Sequence, residues 1–348
     1  MTGTPRGVSV VVPVYNEEEN IPFCLEEVHQ VLTEWSRISK EPYEIIFIDD
    51  GSSDDTVNNL KRYATGMTSV KLVQFRRNFG QTAAMAAGFK NTKYDIVVAL
   101  DGDLQNDPRE IPKMVQIIRD GKADLVAGWR KDRKDKFFSR RLPSVLANHL
   151  ISLTTRVKLH DYGCTLKAMS GEIARNIKLY GEMHRFIPAL ADELGAKIVE
   201  VPVNHRERRF GSSKYGISRT IRVILDLITV KFLLGFSKRP IHLFGSIGLS
   251  LSAAGFFTLS VVTFERFFMS RPMGSRPMFL LSVMLCLVGM QFLVFGLLAE
   301  MLARTYYESQ KKDTFVIRDI WSSNQSLLNK EIESGKREGE KVDEREAA

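Results

Sequence analysis

Cysteine is scarce: Cys24, Cys164 and Cys286 are the three in the chain, far apart and never spaced as C-x-x-C. Such spacing builds neither a zinc knuckle nor a disulfide framework, and a reducing compartment is the simpler reading. The six histidines form no H-E-x-x-H pair, and neither G-x-S-x-G nor G-x-x-x-x-G-K-[ST] occurs. The motif signatures of zincins, of serine hydrolases and of P-loop nucleotide hydrolysis are therefore missing. His29 and His149 sit on predicted helices and read as structural, while His184, His205 and His242 have no partner at metal-ligand spacing. A secretory leader is not expected, because the first apolar run is only about seven residues long before acids interrupt it. No internal repeat is evident.

Cationic charge and apolar length are abundant. The net charge of +8 points to an anionic partner such as a phosphorylated ligand or a membrane surface. Ile241–Phe264 and Met278–Ala299 are uncharged runs of 24 and 22 residues. A helix needs roughly 20 such residues to cross a bilayer. Soluble core helices rarely stay apolar on every face for that length. Lys231, Lys238 and Arg239 precede the first run, and Arg304, Lys311 and Lys312 follow the second. These favour a cytoplasmic N-terminal region and tail, although Arg266, Arg271 and Arg276 in the connecting loop oppose it. The expected division is 1–238 as an α/β domain, 239–304 as two spans (about 241–264 and 278–302), and 305–348 as a cytoplasmic tail. Within the tail, 313–320 is a candidate strand, expected to pair with another subunit because an isolated strand needs a partner edge, and the charge-rich remainder after about 321 reads as disordered.

Upstream of the spans, strand-like runs alternate with helical periodicity. Val8–Tyr15, Tyr43–Asp49, Val70–Phe75, Tyr94–Asp101 and Ala123–Trp129 read as buried strands. Between them lie a helix with Ile21, Leu25, Val28, Leu32 and Trp35 on one face, a short helix capped near Asp54, a small-residue helix from Gly80, and a helix from Pro108. This alternation predicts a mostly parallel sheet covered on both faces. Ser139–Val157 and Gly216–Phe236 combine aliphatic faces with Arg and Lys and are expected as interfacial amphipathic helices.

Ligands of such sheets bind beyond the carboxyl ends of the strands. Three of those ends carry acids: Glu17 to Glu19, Asp49 with Asp50, and Asp101 with Asp103. A D-x-D alone is weak evidence, since many surface turns contain one. Here it follows an apolar strand beside two other acidic tips. Asp103, with Gln105 as a neutral oxygen donor, suits a hard cation, Mg²⁺ or Mn²⁺, shared with a diphosphate. Asp107, just before Pro108, reads as a helix N-cap. Gly128–Arg141 holds seven basic residues against two acids, and His205–Tyr215 adds Arg206, Arg208, Arg209 and Lys214. Phosphate needs such donors. Nucleic acid is disfavoured, because no binding motif accompanies the charge and membrane-seeking helices flank it.

Six motifs then occur in order: Val10–Ile21, Ile48–Thr56, Arg77–Phe89, Asp101–Pro112, Asp161–Met169 and Arg208–Gly216. Together they resemble family 2 glycosyltransferases acting on polyprenyl phosphates, a group that includes dolichyl-phosphate mannose synthase and the bacterial undecaprenyl-phosphate sugar transferases. The resemblance covers roughly 8–310 and implies a Rossmann-like GT-A fold and a metal-dependent, inverting enzyme. It also implies a nucleotide-sugar donor, with UDP-sugars favoured and GDP-mannose the alternative, and a polyprenyl phosphate acceptor. Pro13, Tyr15, Glu17, Asp50 and Asp101 would line the nucleotide site, and Asp103 and Gln105 the metal. Asp161 would sit near the reacting sugar, and Arg130, Arg140, Ser144, Arg208 and Lys214 would surround the acceptor phosphate. The expected setting is the cytoplasmic face of a bacterial plasma membrane, as a homo-oligomer such as a tetramer. Two rival readings are weaker. A processive polysaccharide synthase would carry Q-x-x-R-W, and no Arg-Trp pair occurs. A non-catalytic nucleotide-sugar-binding scaffold would have lost a reactive group, and Asp103, Arg130, Arg208 and Lys214 are all present.

Overall fold

The computed structural model describes residues 4–131, 157–179, 183–207, 241–269, 277–309 and 315–323. The chain divides into two compact units, Met1–Asp226 with Asp313–Ala348, and Leu227–Lys312.

The first unit is built on β1 (Val8–Val14), whose seven residues are all buried. Burial on both faces is what an unalternating apolar strand predicts. β1 pairs in parallel with β2 (Tyr43–Asp49), in a register running from Val8 opposite Tyr43 to Val14 opposite Asp49. β3 (Val70–Phe75) continues in parallel beyond β2, and β4 (Ile96–Ala99) lies in parallel on the other flank of β1. β5 (Leu125–Trp129), β6 (Lys167–Ser170), β7 (Ile198–Pro202) and β8 (Ile317–Ser322) complete the order β7-β5-β6-β4-β1-β2-β3-β8. The sheet is mostly parallel, as expected, but β6 runs antiparallel to β4 and β5, and β8 antiparallel to β3. Successive strands move away from β1 on one side through β2 and β3, then return to its other side at β4. This reversal opens a crevice beyond the carboxyl ends of β1 and β4.

Helices cover both faces. α1 (Ile21–Ser39) buries Ile21, Cys24, Leu25, Val28 and Leu32 at helical spacing. α2 (Thr56–Tyr63) starts next to the expected Asp54, whose Oδ1 accepts the Thr56 N–H at 3.1 Å, but the N-cap residue is Asp55 and its side chain makes no cap bond. α3 (Gln81–Lys90) lies so close to the sheet that a Cβ on Gly88 would come within 2.2 Å of Val11 Cγ1. α4 (Ile111–Arg119) follows a 3-10 turn at Pro108–Glu110, with α5 (Gly171–Asn176) and α6 (Ile187–Glu193) further on.

β8 corrects one expectation. The tail strand was expected to seek another subunit, since an isolated strand needs an edge. It finds that edge on β3 of its own chain, Leu72 opposite Trp321 and Val73 opposite Ile320.

The second unit holds α7 (Ile241–Met269) and α8 (Pro277–Ser309), of 29 and 33 residues. Both are long and apolar enough to cross a membrane, and only 17% and 11% of their most apolar windows are buried. Phe256, Phe257, Leu280 and Leu298 point outward, the opposite of a soluble core helix. Gly248 and Gly255 of α7 permit backbone contact with Gly289 and Cys286 of α8, because a Cβ at either would lie 2.7 Å from those residues. The expected interfacial segments 139–157 and 216–236 lie outside the described residues, except Val157, as does the tail beyond Ser323.

Candidate active site

The tips of β1, β2 and β3 are latched together by side chains. Asn16, in the left-handed region at φ 52°, donates its N–H to Ser52 Oγ at 2.9 Å and accepts the Ser53 N–H at 2.9 Å. The Glu17 N–H donates to Thr56 Oγ1 at 2.9 Å. Gly51, at φ +73°, lies where a Cβ would approach the Arg77 carbonyl carbon to 2.4 Å, so only glycine lets the β2 and β3 exits touch. Asp50 accepts the Phe79 and Gly80 amides at 2.7 and 2.9 Å. Its carboxylate thus ties down the β3 exit loop, with a second lone pair on each oxygen left for a ligand. Burial raises the pKa of Asp50 despite these amides. Pro13 is buried in β1, Tyr15 is exposed at the rim, and Glu17 accepts from Asn20 Nδ2 at 2.5 Å.

Beyond β4 the chain turns sharply. Asp101 accepts from Gln81 Nε2 at 2.8 Å, Asp103 accepts the Gln105 N–H at 3.1 Å, and Leu104 sits at φ 62°. Leucine in that region is uncommon and is held there by its surroundings. Burial, and next the charge of Asp103, push Asp101 up to about 6. Two crowded carboxylates with an amide oxygen nearby suit a hard divalent cation. Among the described residues no three acids, histidines or cysteines gather into a protein-only cage. The carboxylate pair fits Mg²⁺ or Mn²⁺, ions that bind through one or two carboxylates and take the rest of their shell from other oxygens.

Asp107 does cap the turn after it, accepting the Arg109 N–H at 3.1 Å. It also takes the Arg109 guanidinium at 2.7 Å, Asn204 Nδ2 at 3.1 Å and Arg206 at 2.8 Å. Burial works against its charge, but these donors hold it well below the usual carboxylate range. Arg206, grouped by sequence with phosphate-binding cations, is instead paired to Glu27 at 2.7 Å and to Asp107.

On the β5 side, Arg130 grips Asp161 with two parallel bonds, Nε to Oδ2 at 2.7 Å and NH2 to Oδ1 at 2.9 Å. Asp161 is 4% exposed and also accepts the Gly163 N–H at 3.1 Å, while its own N–H donates to Glu200 Oε1 at 2.9 Å. Burial opposes the charge of Arg130, but Asp161 raises its pKa. These two expected site residues thus form one unit, and the charge of Arg130 is felt at Asp101. Arg140, Ser144, Arg208 and Lys214 lie outside the described residues.

Several contributors escaped the sequence reading. Lys167 of β6 is 1% exposed, and its ammonium donates to the carbonyls of Cys164 and Tyr162 beneath the Asp161 turn. Burial lowers its pKa. The one available signal was a lysine inside an otherwise small and apolar strand. Gln81 and Glu200 gave no signal, because their partners lie 20 and 39 positions away, and Arg206 stood out only as one of a run of cations, its Glu27 partner lying 179 positions away.

Comparison with known proteins follows the same lines. Residues 9–178 match glycosyl transferase family 2. The chain is 44% identical over 318 residues to a dodecaprenyl-phosphate galacturonate synthase of Rhizobium johnstonii, covering 90% of this chain and 93% of that one. It is 34% identical over 331 residues to an undecaprenyl-phosphate 4-deoxy-4-formamido-L-arabinose transferase of Yersinia enterocolitica, covering 94% and 98%. The fold resembles that of mannosyl-3-phosphoglycerate synthase from Rubrobacter xylanophilus, with TM-score 0.52, 16% identity, and 65% and 74% of the two chains covered.

Proposed function

The chain belongs to glycosyl transferase family 2, and from that premise we propose that it moves a sugar from a nucleotide diphosphate sugar to the phosphate of a polyprenyl phosphate. A UDP-sugar is the favoured donor and GDP-mannose the alternative. The bond formed joins an acceptor phosphate oxygen to the anomeric carbon. The bond broken joins that carbon to the diphosphate, which leaves as the nucleoside diphosphate. In-line attack inverts the anomeric centre.

The observation that carries this reading is the crowded Asp101–Asp103 pair at the switch point of the sheet, within the field of Arg130. Pro13, Tyr15, Glu17 and Asp50 line the nucleotide rim, and Asp101 faces the ribose or diphosphate. Asp103 and Gln105 would hold Mg²⁺ or Mn²⁺, which when bound offsets charge on the leaving diphosphate. The nucleophile is a phosphate oxygen already ionised at neutral pH, so no strong general base is needed. This agrees with the saturation of Asp161 by Arg130 and the Gly163 amide. Asp161 then aims the guanidinium toward the acceptor phosphate, and the sequence offers Arg140, Ser144, Arg208 and Lys214 as further acceptor-phosphate ligands. Rate comes from alignment and charge complementarity.

The isoprenoid tail stays in the bilayer, so the site works at the membrane surface. The outward apolar faces of α7 and α8 support two crossings, with the sheet unit and tail on the cytoplasmic side. The test is transfer of radiolabelled sugar from a panel of nucleotide donors into organic-extractable lipid, with and without chelator. Chelator-sensitive label in the lipid phase is expected. Label that stays aqueous with every donor would reject the proposal.

A further inference from the structure

Arg206 stands two positions before Arg208, in a run of cations that suits phosphate. Its side chain is committed elsewhere. One terminal nitrogen donates to Glu27 Oε2 of α1 at 2.7 Å and the other lies 2.8 Å from Asp107 Oδ1. Its main-chain N–H donates to the Gln105 carbonyl at 2.8 Å. The neighbours repeat the pattern. Asn106 and His205 form an isolated antiparallel bridge, and Asn204 gives its side-chain amide to Asp107 Oδ2 at 3.1 Å and its N–H to Glu110 Oε1 at 3.2 Å. The exit of β7 is thus fastened along the loop that carries Asp103 and Gln105. That loop includes Leu104 at φ 62°, a conformation that surroundings must maintain.

We propose that Arg206 is a positioning residue of the donor side: through Asp107 and the Gln105 carbonyl it fixes the loop that presents Asp103 and Gln105 to the nucleotide diphosphate, and it does not bind acceptor phosphate. This rests on the metal–nucleotide reading above. Two carboxylates on different elements, Glu27 and Asp107, are bridged by one planar fork. An arginine can span both, whereas a lysine ammonium is a single point charge. Partners that orient metal ligands typically matter by roughly 10–100-fold in metal affinity.

The full-length protein in detergent provides the test, with three readouts: calorimetric binding of UDP with and without Mn²⁺, the acceptor KM, and amide hydrogen exchange across 103–107. For Arg206→Met the expected result is roughly tenfold weaker Mn²⁺-dependent UDP binding. Exchange over 103–107 should speed up and the acceptor KM should stay unchanged. Arg206→Lys should recover part of the binding. Glu27→Gln, on the more exposed arm, should shift binding and exchange in the same direction by less. An increased acceptor KM with unaltered UDP and Mn²⁺ binding would overturn the proposal, since Arg206 would then serve the acceptor. Wild-type-like exchange and binding in Arg206→Met would overturn it as well. If the wild-type protein binds UDP equally with and without metal, the metal reading fails separately. The exchange arm then decides alone, with faster exchange supporting the positioning role and unchanged exchange rejecting it.

Discussion

Where β1, β2 and β4 begin, charges are matched. Arg119 reaches Asp95 at 2.5 Å and Glu41 at 2.7 Å, Arg6 reaches Glu41 at 2.7 Å, and the Gly7 N–H donates to Asp95 at 2.8 Å. Where β2 and β4 end, the chain carries two pairs of neighbouring acids, Asp49 with Asp50 and Asp101 with Asp103. Burial would raise Asp95, but Arg119 holds it below the usual carboxylate range, whereas Asp101 is pushed up to about 6. One edge of the sheet therefore uses charge to fasten the fold. The other keeps like charges close, at a cost in stability that a bound cation would relieve. The contrast separates stability from function at opposite ends of the same strands.

The largest expected effect lies at the strained end. Asp103→Ala should lower sugar transfer by on the order of 10³-fold, because metal stabilisation of the leaving group is worth several kcal/mol. Its thermal unfolding should not fall, since one of two repelling acids is gone. Metal-dependent turnover at the wild-type rate would remove Asp103 from its role. Asp161→Ala should impair both properties, because Arg130 would remain buried without its counterion. Breaking a buried pair from one side costs about 3–5 kcal/mol. Transfer assays alongside thermal unfolding would read the two losses together. An Asp161→Ala protein with unchanged Tm would show that the pair does not hold the turn.

Much of this contrast was legible in the sequence, and the reason is local. β2 and β3 were readable to the residue because each is a short, mostly apolar run, interrupted by Glu44 in β2 and by Lys71 and Gln74 in β3, and ended by a turn. The D-x-D tip and the Asp107 cap depend on neighbours a few positions apart. β6 and β7 were not readable, being four and five residues long without strong periodicity. The β8 pairing was misassigned because a strand's pattern says that it needs an edge, not whose edge it takes. The Arg130–Asp161 fork joins positions 31 apart, and the Arg206 clasp joins positions up to 179 apart. No periodicity connects residues at those separations, so each appeared only as an isolated charge.

At the matched end the effects should be smaller and confined to stability. Arg119→Met leaves Glu41 and Asp95 facing each other without their shared cation. The cost should be about 2–3 kcal/mol, below that of a fully buried pair because Asp95 is 31% exposed. Turnover per folded molecule should not change, measured below the unfolding temperature. A fall in turnover without a fall in Tm would mean that the two ends are coupled, and the contrast would fail.

The last prediction concerns sign. Asp101 titrates near 6 in the folded protein, whereas an unperturbed aspartate titrates near about 3.9. Between those values the folded state holds a proton that the unfolded chain has released, so stability falls as pH rises. Above the folded value the penalty is complete, and below about 4 it vanishes because both states are protonated. Asp101→Asn removes the titration altogether. In metal-free protein at neutral pH its Tm should exceed that of the wild type, and the gap should close as the pH drops through the interval. Groups remote from Asp101 titrate alike in the two proteins, so the difference between their Tm curves reports this carboxyl together with its coupling to Asp103. Adding Mn²⁺ with UDP should reverse the ranking, because the wild type then gains a counterion that the amide cannot bind as well. A gap that ignores pH, or a variant less stable than the wild type at neutral pH without metal, would mean that the acids at this end are already compensated as they are at the other.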